Sequence, residues 1–153
     1  MREIQLASGK VAMVDDEDAA IVDKSRWCTT SKGYVHGYIR GSRPGQWILL
    51  HRLLMNAQTG QQVDHINHNP LDNRRCNLRL CTNGQNTANA RKHKDGITSQ
   101  FKGVSWDKYA QSWCVQVQGS RVGRFKSEME AARAYDNAAR VAFGEFAHLN
   151  FAG

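Results

Sequence analysis

The stretch VDHINHNPLDNRRCNLRLCTNGQNTANA, from Val63 to Ala90, constrains this chain more than any other. It holds seven asparagines. A core segment cannot be so polar, because amides taken out of water without partners are costly. A disordered tail would not keep VDHI and NLRL as short apolar punctuation. What fits both is a strand at VDHI, a long polar loop, a second strand at CNLRLC and a helix carrying Asn86 and Asn89. Successive side chains of a strand point to opposite faces, so Asp64 and His65 cannot point the same way. Asp, His and Asn orient water, phosphate and hard metal ions, so their concentration here suggests a hydrolytic site. The competing reading is a solvated loop whose asparagines simply form turns.

The remaining totals narrow the choice of partner. A formal charge of +7 favours a polyanion. The chain's 153 residues suffice for one ordinary domain or two small ones. No apolar run approaches the roughly 18 residues that span a bilayer, so no membrane partner is expected. The opening MREIQLASGK is too polar and too acidic for a signal peptide, which makes a cytoplasm the expected location. The four cysteines form no CxxC pair. Cys76 and Cys81 frame NLRL, but alternation would turn them to different faces of one strand. No structural zinc is therefore expected, and the cysteines read as buried free thiols.

Four segments follow from the pattern. Residues 1–45 read as a β-rich lead-in, with Asp15 or Asp16 able to cap a short helix. Residues 46–92 contain QWILLHRLLMNA, apolar at helical and strand spacing alike, and then the Asn-rich stretch. Residues 93–98 lie in the polar, basic run RKHKDGITSQ and read as a linker. Residues 99–153 carry three strand-like runs, FKGVSWD, SWCVQVQ and RVGRFK, and one helical pattern, SEMEAARAYDNAARVAFG. Ser127 followed by Glu130 fits a capping box at the start of that helix. The fold class expected is α+β.

Asp64 and Asn86 offer two hard oxygens to a magnesium-like ion, and His65 beside them can activate water. The order VDHIN…NPLDNRRCNLR…TNGQN..N resembles the HNH endonuclease family, in the homing branch whose last His is replaced by Asn. LHRLLMNA upstream matches the lead-in of that branch, so the resemblance covers about residues 46–90. It implies a small ββα-metal (His-Me finger) nuclease module. In that module Asp64 and Asn86 are metal ligands and His65 is the general base, while Asn77 holds the hairpin loop and orients His65. One divalent ion is implied, magnesium by expectation with manganese as a substitute. His51, Asn69, Asn73, Asn89 and Arg79 are further candidates, Arg79 either on phosphate or in a salt bridge.

The C-terminal region, from FKGV at 101–104 through the GRF turn at 123–125 and EAARAYDNAA at 130–139 to HLNF at 148–151, resembles the APETALA/ethylene-response-factor class of DNA-binding domain. That resemblance implies a three-stranded antiparallel sheet, packed on one helix, that enters the major groove of double-stranded DNA. Lys102, Trp106, Lys108, Arg121, Arg124 and Lys126 are the candidate contacts. Arg124 has a competing use, an ion pair with Glu128 or Glu130. Ser105 departs from the arginine usual in that class, so its base preference does not carry over. The functional expectation is a sequence-directed, metal-dependent homing endonuclease of phage or bacterial origin, acting as a monomer or weak homodimer. The alternative is a DNA-binding regulator on an inactive nuclease scaffold.

Overall fold

The computed structural model describes residues 1–39, 45–92 and 98–151. The chain divides into two compact units, Met1–Asn83 and Gly84–Gly153. The segment expected to be a linker, 93–98, lies outside the described residues except for Thr98.

In the first unit, β1 (Arg2–Gln5) and β2 (Val11–Val14) form an antiparallel hairpin. Ala12 and Val14 are fully buried, which is the period-two pattern of a half-buried strand. A 3-10 turn at Asp16–Asp18 leads into the short helix α1 (Ala19–Val22). Asp15 precedes that turn but makes no side-chain cap there. Its carboxylate accepts instead from the backbone N–H of Arg75, at 2.7 Å. Strands β3 (Trp27–Thr29), β4 (Val35–Ile39) and β5 (Gln46–Leu49) form an antiparallel sheet in that order. The ambiguous run at 46–57 is both things in turn, because β5 passes directly into α2 (Leu50–Leu54). Leu50 and Leu54, one helical turn apart, are buried in a core with Val14, Trp27 and Val35. Strands β6 (Gln62–His65) and β7 (Leu78–Cys81) then pair as a two-stranded antiparallel hairpin. Of the four free thiols, Cys81 and Cys114 are buried, while Cys76, on a 3-10 turn before β7, is exposed.

Helix α3 (Asn83–Asn89) starts at the boundary, with all but its first residue in the second unit. Strands β8 (Val104–Asp107), β9 (Ser112–Val117) and β10 (Ser120–Phe125) form an antiparallel sheet with β9 in the centre. Helix α4 (Glu128–Phe143) packs on it, with Ala131, Ala132, Tyr135 and Ala139 against Val104, Val115 and Val117. The alanines are what let helix and sheet approach. Gly103 is required for the same reason: its φ is +71°, and a Cβ there would stand 2.0 Å from the Tyr135 ring. The expected capping box does not form, since the Ser127 side chain makes no cap bond. Buried Asp136 ties down the chain after the helix by accepting from the Asn150 and Phe151 backbone N–H groups and from Asn150 Nδ2. Among the described residues no helix is long and apolar enough to cross a membrane.

Candidate active site

The register of the β6–β7 hairpin decides which way its chemistry points. Asp64 lies opposite Arg79, and His65 lies opposite Leu78. Directly opposed residues share a face, so the carboxylate and guanidinium meet while His65 turns the other way. Arg79 Nε and Nη2 both donate to Asp64 Oδ2, at 2.9 and 2.8 Å, and both side chains are largely buried. Of the two uses expected for Arg79, the structure displays the salt bridge.

The loop between the strands answers the question its asparagines raise. Apart from a bridge to Met13 of β2, this backbone has no sheet partner, and the amides supply it with donors and acceptors. Asn67 Oδ1 accepts from the Asn69 N–H at 2.8 Å, and Asn69 Oδ1 accepts from the Leu71 N–H at 3.1 Å. Asn77 closes the loop: its Nδ2 donates to Asp72 O at 2.8 Å, and its Oδ1 accepts from the Asn67 N–H at 3.0 Å. Asp72, fully buried, receives Arg74 Nε and Nη2 and Asn67 Nδ2. The bond from the Arg74 guanidinium holds its carboxyl below the usual carboxylate range.

His65 is buried with Asn73 Oδ1 3.4 Å from its Nε2, and with the rings of His51 and Tyr34 at 5.0 and 5.9 Å. Burial pushes its pKa down, and the Asn73 bond and the Asp64 and Asp72 charges pull partly against that. The imidazole is therefore neutral at pH 7, the state a general base needs. His51 is pushed down to about 3, chiefly by burial and then by the neighbouring His65. Its Nδ1 finds no hydrogen-bond partner among the described residues. Sequence reading marked His51 and Asn73 only as further candidates and missed Tyr34, which no local motif distinguishes.

The comparisons with known proteins bear directly on this hairpin. The HNH endonuclease family profile matches residues 48–88, a span that takes in Asp64, His65, Asn77 and Asn86. The "Uncharacterized HNH endonuclease L560" of Acanthamoeba polyphaga mimivirus is 31% identical over 150 residues, covering 93% of this chain and 75% of that protein. The chain belongs to the HNH endonuclease family. "Protein 3.8" of Escherichia phage T7 is 41% identical over 54 residues, covering 35% of this chain and 44% of that protein. No solved structure matches the chain. Membership of the HNH endonuclease family points to a nuclease acting on DNA, and HNH nucleases generally use a divalent metal.

A carboxylate and a primary amide are hard oxygen donors, the chemistry that suits an ion of the magnesium class. Of the two residues expected to offer such oxygens, Asp64 is on β6 in the first unit and Asn86 is on α3 in the second. Among the described residues one acidic group also has metal-binding spacing, Asp15, Glu17 and Asp18. These acids surround Arg75 instead: Asp18 takes its guanidinium at 2.7 and 3.1 Å, and Glu17 lies 3.3 Å from it.

The second unit of this HNH family member presents its expected DNA contacts unequally. Arg121 and Arg124 lie opposite Gln116 and Cys114, on the face of the sheet away from α4. Arg124 pairs with Asp107 at 3.0 Å, a cross-sheet partner rather than the competing Glu128 or Glu130. Lys108 sits exposed in the β8–β9 turn over the Tyr109 ring, and Lys126 is exposed just past β10. Two residues are used differently from expectation. The Lys102 ammonium donates to the carbonyls of Ala88 and Ala90 at the end of α3, where a helix leaves its acceptors unsatisfied. Trp106 shares the helix-side face with Val104, and its ring meets Trp113 edge-on at 4.9 Å. Period-two alternation from Val104 turns it away from the outer face.

Proposed function

We propose that this chain is a metal-dependent DNA endonuclease of the homing type, with chemistry centred on the β6–β7 hairpin and the C-terminal sheet holding duplex DNA. The observation that carries the reading is His65, buried, its pKa pushed down by that burial, next in sequence to a carboxylate and inside the span matched by the HNH endonuclease family. His65 accepts a proton from the water that attacks phosphorus. Asp64 and Asn86 are the residues that would hold the ion, and magnesium is the expected one. When bound, the ion supplies positive charge to the phosphoryl oxygens and the departing 3′ oxygen. Arg79 fixes the Asp64 carboxylate in place. Asn77 keeps the loop closed so that His65 keeps its position.

In the C-terminal unit, the resemblance to the APETALA/ethylene-response-factor class and the outward Arg121 and Arg124 support a reader of the major groove. Lys108 and Lys126 are exposed cations suited to phosphate. Double-stranded DNA is the substrate under this reading. A single site cuts one strand, so a monomer nicks and a double-strand break needs a second copy or a second event.

A second reading has one observation behind it. Arg79 already neutralises Asp64, as it would in a DNA-binding protein built on an inactive scaffold. Nicking of supercoiled plasmid with magnesium separates the two. The nuclease reading expects nicked product from the wild type and none from Asp64→Ala, His65→Ala or Asn86→Ala, with DNA affinity kept within a few-fold. A wild type that binds plasmid and leaves it intact with both magnesium and manganese would decide for the regulator.

A further inference from the structure

The outer face of the β3–β4–β5 sheet carries rings that the hydrolytic chemistry proposed above does not use. Across the strands Tyr38 lies opposite Trp47 and His36 opposite Leu49, while Trp27, Gly37 and Ile48 line up on the core side. Directly opposed residues share a face, so His36, Tyr38 and Trp47 stand together away from the core. The Trp47 ring lies 4.8 Å from His36 and 5.7 Å from Tyr38, centroid to centroid. Those neighbours hold it in place, yet 62% of Trp47 is open to solvent. A single exposed ring is ordinary, but adjoining rings at the mouth of a cleft are a patch.

That cleft, of about 680 Å³, is lined by Lys24, Arg26, Cys28, Tyr38 and Trp47 among others. Lys24 and Arg26 are exposed, and the acid among the lining residues, Asp23, already pairs with Arg2 at 2.6 Å. A flat ring beside such cations suits a nucleobase and its phosphate. In a duplex the bases cover one another's faces, so only an unpaired nucleotide can offer its face to a side chain. We propose that this face of the sheet binds an unpaired nucleotide of DNA, its base stacked on Trp47 and its phosphate beside Arg26 and Lys24. The choice of DNA rests on the nuclease reading above. The substrate class is then duplex DNA opened over a few nucleotides, a different ligand from the paired duplex assigned to the C-terminal sheet.

The experiment titrates the full chain, with metal left out, with an end-labelled oligothymidylate of about eight nucleotides. It reads tryptophan emission and the anisotropy of the label. The wild type is expected to bind with quenched emission. Trp47→Ala should lose the quench and weaken single-strand binding by about 10-fold, with affinity for a fully paired duplex kept within about two-fold. Trp47→Phe keeps a ring, so it should lose the quench and still bind within a few-fold. Arg26→Ala should flatten the salt dependence of single-strand binding. An unchanged single-strand affinity in Trp47→Ala, or a duplex affinity that falls as much, overturns the proposal. Stronger binding of oligouridylate than of oligothymidylate overturns the choice of DNA. If Trp47→Ala does not fold, a quench that survives in Trp47→Phe, or an unchanged salt slope in Arg26→Ala, overturns it instead. The nuclease reading fails by a separate result, a plasmid left intact, which would leave the quench and its loss standing.

Discussion

His51 shows what burial does to a single residue. Its pKa is pushed down to about 3 in the fold, against an ordinary 6.5 in an unfolded chain. Above pH 6.5 the ring is neutral in both states and adds no pH dependence. Below it the unfolded chain takes up a proton that the folded chain refuses, so the stability present at neutral pH is lost as pH falls. For one proton the slope is about 1.4 kcal/mol per pH unit. His65, lowered for the same first cause, titrates in the same direction. We predict that denaturant midpoints of the wild type fall as the pH is lowered from about 6.5 toward about 3, and that His51→Phe flattens this slope. Equal slopes in the two proteins would place the acid lability elsewhere. Cleavage should fall on the acid side too, because His65 accepts a proton only when neutral, and its limb should lie below that of an ordinary histidine.

At the scale of elements, the strands and α4 were legible because period-two and period-3.6 patterns report directly on burial. The asparagines of the loop were legible as chemistry but not as architecture. Asn77 and Asn67 are locked by Asp72, and nothing in local sequence says which amide meets which carbonyl. Lys102 reads from sequence as a cation offered to DNA, whereas in the fold two carbonyls at the end of α3 hold its ammonium, a pairing that nothing in the local sequence announces. Trp106, two residues from the core residue Val104 on β8, shares its face, so alternation within the strand turns it toward Trp113 rather than outward. Gly103 supplies a test of how tightly this sheet and helix are matched. Gly119 has a similar φ, +76°, but open space where a Cβ would go, whereas Gly103 faces the Tyr135 ring. Gly119→Ala should cost about 1–2 kcal/mol for left-handed backbone alone. Gly103→Ala adds the clash and should cost about 2–4 kcal/mol. Chemical denaturation of both variants reads the difference; equal losses would mean that Tyr135 moves aside freely.

At the scale of the whole molecule, the proposed function divides labour between the residues of the HNH match and the outward cations of the C-terminal sheet. Cutting and choosing should then separate under mutation. With metal left out, Asp64→Ala should select the same sites from a random DNA library as the wild type, because the side chain itself contacts neither base nor phosphate in this reading. Arg121→Ala should keep kcat at saturating DNA and relax preference at one or two base pairs, since an arginine bidentate to guanine carries about 1–3 kcal/mol of discrimination. Lys126→Ala should weaken all sequences alike. Arg124 differs because Asp107 pairs with it. Removing the guanidinium also leaves a carboxylate unmasked on the face offered to DNA, which repels every sequence. Arg124→Ala should therefore lose affinity broadly, most at low salt, and adding Asp107→Asn should recover the part due to repulsion. Whatever relaxation of site choice persists in that double variant is what Arg124 reads. Unchanged site preferences in both Arg121→Ala and the double variant would remove base reading from this face of the sheet and leave it a phosphate-holding surface.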